Sequence, residues 1–361
     1  MTITARGVIA RKAGAPVEVE EYLVDPPGPG EVLVRVQASG VCHTDLHFKN
    51  GNFGDGFPYL LGHEGAGIVE EVGEGVVWPQ KGDYVILAWR APCGNCRFCL
   101  IGQAHLCAAS LNAKPRMRTK DGLTLNPAIG IGTFCTHTVV AARQAVPVTT
   151  AIPPGPAGLI GCGVMTGIGA VFYSAGVRQG STVAVFGCGG VGQNVIQGAR
   201  LARASKIIAV DFADNKLEWA KTFGATHTVN AKAGDPVTQI KELTGGFGVD
   251  YSFEAIGRPD TLLQAMFCRD LAGTCVLIGV PEAGAKLEIP LQRYFDLGGN
   301  FRISWYGDCL PTRDFPMLAN WYTRGDLKLD ELITRWITME ETEDAFHAME
   351  HGETLRSVIR C

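Results

Sequence analysis

Charge of one sign never accumulates in this chain of 361 residues: no long run of like charge occurs, and the net charge is only −4. That pattern argues against a nucleic-acid surface or an acidic interaction tail. The opening segment MTITARGVIARKAG has no apolar h-region and no small-residue cleavage site, so no export signal is expected in it. Internal repeats and low-complexity linkers are missing too, which sets aside repeat arrays and loosely tethered modules. Charged residues are absent from Gln144 to Val177, and Gly158 to Tyr173 is apolar enough to suggest a membrane span. Pro153, Pro154, Pro156 and the glycines between Gly158 and Gly169 interrupt that run. The usable helix is therefore expected to be short and buried in protein, and no membrane partner is expected.

What remains is the composition of an ordinary α/β protein, 46% hydrophobic and 19% charged. The length favours two domains, each able to bury a substantial core. Twelve cysteines without an export signal point to a reducing, cytoplasmic compartment, where thiols bind metal or fill cores.

The first part of the chain alternates short β-like runs with Gly/Pro turns. EVLVRVQASG, GAGIVEEVG, DYVILAW and FCTHTVVAA are the clearest strands, and DPPGPGE is turn chemistry. From about Val164 strands and helices alternate. TVAVF (182–186), KIIAVD (206–211), HTVN (227–230), VDYSFEA (249–255) and CVLIGV (275–280) are short and apolar, as in a parallel sheet covered on both faces. After about Trp305 the pattern is mixed again and ends in an amphipathic helix, EETEDAFHAMEHGE. The expected division is 1–163, 164–305 and a C-terminal return over 306–361.

The run CGNCRFCLIGQAHLC places Cys93, Cys96, Cys99 and Cys107 at x2, x2 and x7 spacing. Four thiolates so close can close a tetrahedral shell around one zinc ion, which describes a structural site. Four buried thiols or a disulfide pair are the plainer alternatives. Gly187-Cys188-Gly189-Gly190-Val191-Gly192 follows a strand and opens a helix, with Asp211 at the end of the next strand. That context is the one in which a GxGxxG turn meets a pyrophosphate at a helix N-terminus. Asp211 would accept the adenosine ribose hydroxyls and repel a 2′-phosphate, favouring NAD; a helix N-cap is the other explanation for it. Lys216 is either a cofactor contact or a solvated surface lysine. Cys42 in GVCHTDLH, His63 and Glu64 in GHEGAG, and Cys162 in GCGVMTG are candidates for a second, open metal site. Taken singly they could be core thiols and a buried histidine.

GVCHTDLH, LLGHEGAG, the four-cysteine loop, IGCG and GCGGVG occur in the order of the zinc-containing medium-chain alcohol dehydrogenases, which the chain resembles over essentially its whole length. Within that family LLGHE, WRAPCGNC, FGATHTVNA, RDLAG, SWYGDCLP and LRSV are similar to the class III-like actinobacterial S-(hydroxymethyl)mycothiol dehydrogenases. The resemblance implies a GroES-like, mostly β catalytic domain and a Rossmann domain with a doubly wound parallel sheet. It implies Cys42, His63 and Cys162 as catalytic zinc ligands, with Glu64 behind the metal, and the four-cysteine loop as a second zinc site. Thr44 would contact the substrate oxygen and His47 would be the outer base of a proton relay; Asp45 receives no role. His43 and Arg356 would face the cofactor pyrophosphate, Thr166 and Val191 would lie beside the nicotinamide, and Ile278 and Val280 would complete the cofactor site just after the last strand of the cofactor domain. Trp89 and Trp305 fall at pocket-lining positions, where core packing is equally natural.

The implied activity is reversible oxidation of an alcohol to an aldehyde or ketone by a homodimer or homotetramer using NAD. The substrate is either a thiol adduct such as S-(hydroxymethyl)mycothiol or a free primary, aryl or long-chain alcohol. A zinc-independent reductase and a non-catalytic zinc-binding protein on the same fold are the competing classes. The segment 110–122, with Lys114, Arg116, Arg118 and Lys120, either greets an anionic substrate or is a solvated loop at a subunit edge.

Overall fold

A computed structural model describes all 361 residues and divides the chain into two units, Met1–Cys162 with Leu310–Cys361, and Gly163–Cys309. The first 150 residues carry strands β1 (Ile3–Ala10), β2 (Glu18–Val24), β3 (Glu31–Gly40), β4 (Tyr59–Leu60), β5 (Gly65–Val72), β6 (Tyr84–Leu87), β7 (Met117–Thr119), β8 (Asn126–Pro127), β9 (His137–Ala141) and β10 (Ala145–Pro147). Strands β11 (Thr182–Phe186), β12 (Lys206–Asp211), β13 (His227–Asn230), β14 (Val249–Glu254), β15 (Arg269–Leu277) and β16 (Asn300–Ile303) follow. The chain closes with β17 (Ile333–Ile337) and β18 (Arg356–Arg360).

In the first unit one sheet runs β7-β2-β1-β4-β8. The other runs β10-β6-β5-β3-β18-β17, with β9 also paired to β3. Val32, Val34, Val69, Val85, Leu87 and Val140 form one apolar cluster from the second sheet. The C-terminal return is a structural member of this unit, because β18 pairs antiparallel with β3 at Gly40, Ser39 and Ala38. It therefore abuts the chain just before Cys42.

The second unit is a parallel sheet of order β13-β12-β11-β14-β15-β16. Its central strands are buried along nearly their whole length, the signature of a sheet covered on both faces. Ala184, Phe186, Ile208, Val210, Val229 and Leu262 lie in its core.

Two features differ from the sequence expectation. The strand expected at 275–280 begins at Arg269 and ends at Leu277, and it is not the last of the sheet, because β16 pairs with it in parallel register. All four residues of β16 are exposed, so no alternation of buried and polar positions marks it in sequence. The apolar run at Gly158–Tyr173 is no short helix either. It belongs to a 22-residue helix, Pro154–Ala175, long and apolar enough to cross a membrane but mostly buried inside the protein. Pro154 occupies the first turn, where a missing N–H breaks no helical bond. The glycines mark close backbone approach: a Cβ on Gly158 would stand 2.6 Å from the Glu64 carbonyl, and one on Gly161 2.7 Å from that of Leu87. Those contacts seat the helix, and with it Cys162, against β5 and β6.

Candidate functional site

Helix α1 (His43–Lys49) starts immediately after β3, with Cys42 as its N-cap in extended conformation. Asp45, in the first turn, is wholly buried. Its Oδ2 accepts the Cys42 backbone N–H at 3.1 Å and its Oδ1 accepts that of Gly62 at 3.0 Å. The same Oδ1 lies 2.9 Å from Nδ1 of His63, also wholly buried. When the ring carries a single proton, the carboxylate at Nδ1 places it there and leaves Nε2 as the acceptor. Nε2 is buried and has no hydrogen-bond partner. An orphaned buried acceptor costs about 1–3 kcal/mol, so the position is unfavourable unless something electropositive meets it.

What surrounds that nitrogen defines the site. One ligand atom each from Cys42, His63, Glu64 and Cys162 lie within 4.8 Å of one another. The thiol of Cys42 is held well below its ordinary range, chiefly by its hydrogen bond with Cys162, against burial, and further by His63 and Arg356. Burial opposes a charge on His63, but Asp45 and Cys42 outweigh it and raise the imidazole to about 10. Burial likewise pushes the Asp45 carboxyl up, with His63 opposing. Together these shifts describe a Cys42 thiolate beside a His63 imidazole that holds its proton firmly, so a divalent cation binding here takes that proton's place. Two sulfurs and one imidazole are the donor set of a catalytic zinc that keeps one position open. Behind the cluster the Glu64 carboxylate is paired with the guanidinium of Arg356, both buried.

The second cysteine cluster is closed. Cys93 precedes a single helical turn, Arg97–Leu100, that Cys96 caps and Cys99 occupies, and Cys107 ends the turn Ala104–Leu106. All four sulfurs lie within 4.8 Å of one another, with Cys96 Sγ 3.6 Å from Cys99 Sγ. Backbone N–H groups of Cys99 and Ala108 help lower the Cys96 thiol to about 6. All twelve cysteines are free thiols, so the disulfide alternative falls. Four sulfurs and no open face describe a structural zinc.

In the second unit β11 runs into the glycine turn. Gly187 has φ +88°, and a Cβ on Gly192 would stand 1.8 Å from the Gly187 carbonyl, so both positions require glycine. Gly189 caps the helix Gly190–Leu201, with Val191 half-exposed in its first turn. Asp211, at the end of β12, is no helix N-cap, since Ala213 takes that place. Its carboxylate accepts N–H bonds from Cys188 at 2.8 Å and Ala213 at 3.0 Å, which brings it beside the glycine turn. Lys216 is half-buried on the next helix, and Thr166 half-buried on the long helix. Ile278 is buried just past β15, whereas Val280 is exposed.

In the first unit, His43 is exposed at the start of α1 and Thr44 half-buried beside it. His47, one turn on, has Nδ1 2.9 Å from the Asn52 amide nitrogen and its ring against Phe53. Trp89 packs partly buried on the β5–β6 valine and leucine cluster, while Trp305, in the second unit, is exposed. The basic segment 110–122 is largely neutralised: Arg116 pairs with Glu31, Arg118 with Asp25 and Lys120 with Glu21. Part of it is β7, paired with β2.

Sequence reading overlooked Asp45 and Asn52. A signal for the first was present, since Cys42-x-x-Asp45 at a helix start has the spacing of a capping box.

Residues 28–150 match the alcohol dehydrogenase GroES-like domain and residues 190–324 the zinc-binding dehydrogenase family. The chain is 39% identical to an S-(hydroxymethyl)glutathione dehydrogenase of Synechocystis, over 98% of this chain and 99% of that one. Its structure is similar to an alcohol dehydrogenase zinc-binding domain protein from Burkholderia ambifaria, with TM-score 0.95 and 35% identity over 100% and 99% of the two chains. It is also similar to benzyl alcohol dehydrogenase from Acinetobacter calcoaceticus, with TM-score 0.93 and 31% identity over 99% of each.

The geometry around Asp45 yields a measurable expectation. Cys42→Ala should lower zinc from two ions per chain to one while leaving a folded protein. Asp45→Asn, which keeps the shape but loses the charge that fixes His63, should weaken the catalytic-site zinc by roughly 10–100-fold. Chelator competition followed by elemental analysis reads both, and unchanged affinity in Asp45→Asn would remove the carboxylate from the metal site.

Proposed function

Because the chain belongs to the zinc-binding alcohol dehydrogenase family, we propose that it oxidises the hydroxymethyl adduct of a small thiol, S-(hydroxymethyl)mycothiol foremost, with NAD as hydride acceptor. The observation that carries the oxidoreductase reading is the convergence of the half-buried Cys42 and Cys162 on the buried His63, whose Nε2 is orphaned. The thiol-adduct reading rests on the class III-like segments of the sequence and on the relative named for S-(hydroxymethyl)glutathione. Asp211 beside the glycine turn favours NAD. A second reading, an aryl or other free alcohol, draws on the likeness to benzyl alcohol dehydrogenase and on Trp89 and Trp305.

Cys42, His63 and Cys162 would hold a zinc ion, which would supply Lewis-acid chemistry at a bound oxygen, and the glycine turn with Asp211 would hold the nicotinamide cofactor that would supply hydride-acceptor chemistry. The protein's own part begins at Asp45, which locks the His63 tautomer so that Nε2 faces the metal position. Glu64 and Arg356 hold the charge behind it. Thr44 and His47 are three residues apart on α1 and so share a face. Thr44 offers a hydroxyl to the substrate oxygen, and His47 takes up the released proton. An amide donor from Asn52 makes Nδ1 of His47 an acceptor. A proton arriving at Nδ1 must displace that donor, which couples proton uptake to rotation of the Asn52 amide. His43, Arg356, Thr166, Val191 and Ile278 complete the cofactor contacts in this reading.

A cytoplasmic homo-oligomer fits the remaining features. Twelve free thiols suit a reducing compartment. Strand β16 is a bare sheet edge carrying Phe301 and Ile303, with Phe295 exposed nearby in sequence, and an exposed apolar edge is stabilised by pairing with a second copy.

The reading is tested by NADH formation across a panel of primary, aryl and long-chain alcohols, with formaldehyde plus mycothiol or plus glutathione included. A kcat/KM at least about tenfold higher for the mycothiol mixture, a difference of about 1.4 kcal/mol, is expected. Equal or higher values for benzyl alcohol would transfer the assignment to the second reading.

His47→Gln removes the base but keeps a polar group. Alcohol oxidation should fall most at and below neutral pH, by roughly 10²-fold, and recover as hydroxide replaces the base. An unchanged pH–rate profile would show that the proton leaves by another route.

Ile303→Lys places a charge on the open edge and should shift the assembly toward monomer in light scattering. An unaltered mass would exclude β16 from the interface.

A further inference from the structure

Beyond Asp211 the adenosine end of the second unit carries two cations that no acid neutralises. Phe212, the residue after Asp211, is 57% exposed at the C-terminal end of a parallel strand, where open α/β sheets bind their ligands. The ammonium of Lys216 lies 5.9 Å from the centroid of its ring and that of Lys232 lies 5.3 Å from it. Neither ammonium is in a salt bridge. The nearby carboxylate of Asp214 instead accepts the amide of Asn230 at 2.6 Å.

The loop that carries Lys232 is fixed to the acid. Ala231 N–H donates to the backbone carbonyl of Asp211 at 2.9 Å, and Lys232 N–H is turned in by the side chain of Asn230 at 2.8 Å. Three successive elements, the end of β12, the helix Asp214–Phe223 and the loop after β13, thus bring an aromatic face and two positive charges to one place. Each Asp211 oxygen meanwhile accepts a backbone N–H, which offsets part of the negative charge that would repel a phosphate.

We propose that Phe212, Lys216 and Lys232 form a cationic clamp at the adenosine ribose, in which Lys232 supplies affinity for a 2′-phosphate and so narrows the preference for NAD that Asp211 sets. The clamp rests on the reading of this unit as a dinucleotide site. Lys232 is a specificity-determining residue here: it acts on a phosphorylated ribose and leaves the unphosphorylated one almost untouched. Lys216 belongs to the adenosine contact in both cases. The exposed ring of Phe212 offers a stacking face for the base, which carries no charge preference.

The test is calorimetric titration of the zinc-loaded full chain with 5′-AMP and with 2′,5′-ADP. Lys232→Ala should weaken 2′,5′-ADP by roughly three- to tenfold while 5′-AMP stays within about twofold, and Lys232→Arg should retain both. Raising ionic strength should reproduce the selective loss in the unaltered protein. Equal weakening of the two nucleotides by Lys232→Ala, or no weakening, overturns the clamp. Binding of 5′-AMP without any binding of 2′,5′-ADP by the unaltered chain also overturns it and leaves the dinucleotide reading standing. If neither nucleotide binds, the clamp and the dinucleotide reading fall together.

Discussion

A single buried carboxylate, that of Asp45, holds together the parts of the catalytic centre that the chain delivers from different places. It caps the turn that presents Cys42, receives the backbone N–H of Gly62 and fixes the ring of His63. An ionised group with no solvent contact is costly unless its lone pairs are filled, and here two backbone N–H groups and an imidazole fill them. The consequence is positional: the N-cap sulfur and the imidazole nitrogen cannot move independently of each other. Metal-site geometry is therefore set in part by this hydrogen-bond network.

The third ligand arrives by packing rather than by hydrogen bonding. Cys162 rides on the helix Pro154–Ala175, and glycines at 158 and 161 let that helix approach the backbone at Glu64 and Leu87 more closely than any side chain would permit. The same glycines that weaken an isolated helix thus place one. Beneath the site the Glu64–Arg356 pair joins the strand after the ligand histidine to the C-terminal strand β18, residues 292 positions apart. A buried pair of this kind is strongly destabilised by loss of either partner, at about 3–5 kcal/mol. This ties the integrity of the catalytic centre to the end of the chain.

The two thiol clusters illustrate how ligand count decides role. Cys93, Cys96, Cys99 and Cys107 offer four sulfurs in one loop and leave nothing for substrate. Cys42, His63 and Cys162 offer three donors, and their fourth neighbour, Glu64, gives one oxygen to Arg356 and keeps the other buried and unpaired. Coordination chemistry then assigns folding to the first and Lewis acidity to the second.

What the sequence determined by itself was local. The four cysteines fall within one short run, and the glycine turn sits between a strand and a helix with its acid one strand later; the central strands of both regions begin and end nearly where their patterns indicate. The grouping of Cys42, His63 and Cys162 was readable only through resemblance, because no local periodicity connects residues so far apart. The role of Asp45, the Glu64–Arg356 pair and the neutralisation of the basic segment by Asp25, Glu31 and Glu21 were decided by tertiary structure. So were the edge strand β16, exposed on both faces, and the length of the helix around Cys162, whose glycines read as breaks until their neighbours are known. The physical reason is common to all of them: a residue's type states which bonds it can make, but whether a charge is paired, an acceptor orphaned or a glycine compressed depends on atoms that only the folded chain brings near.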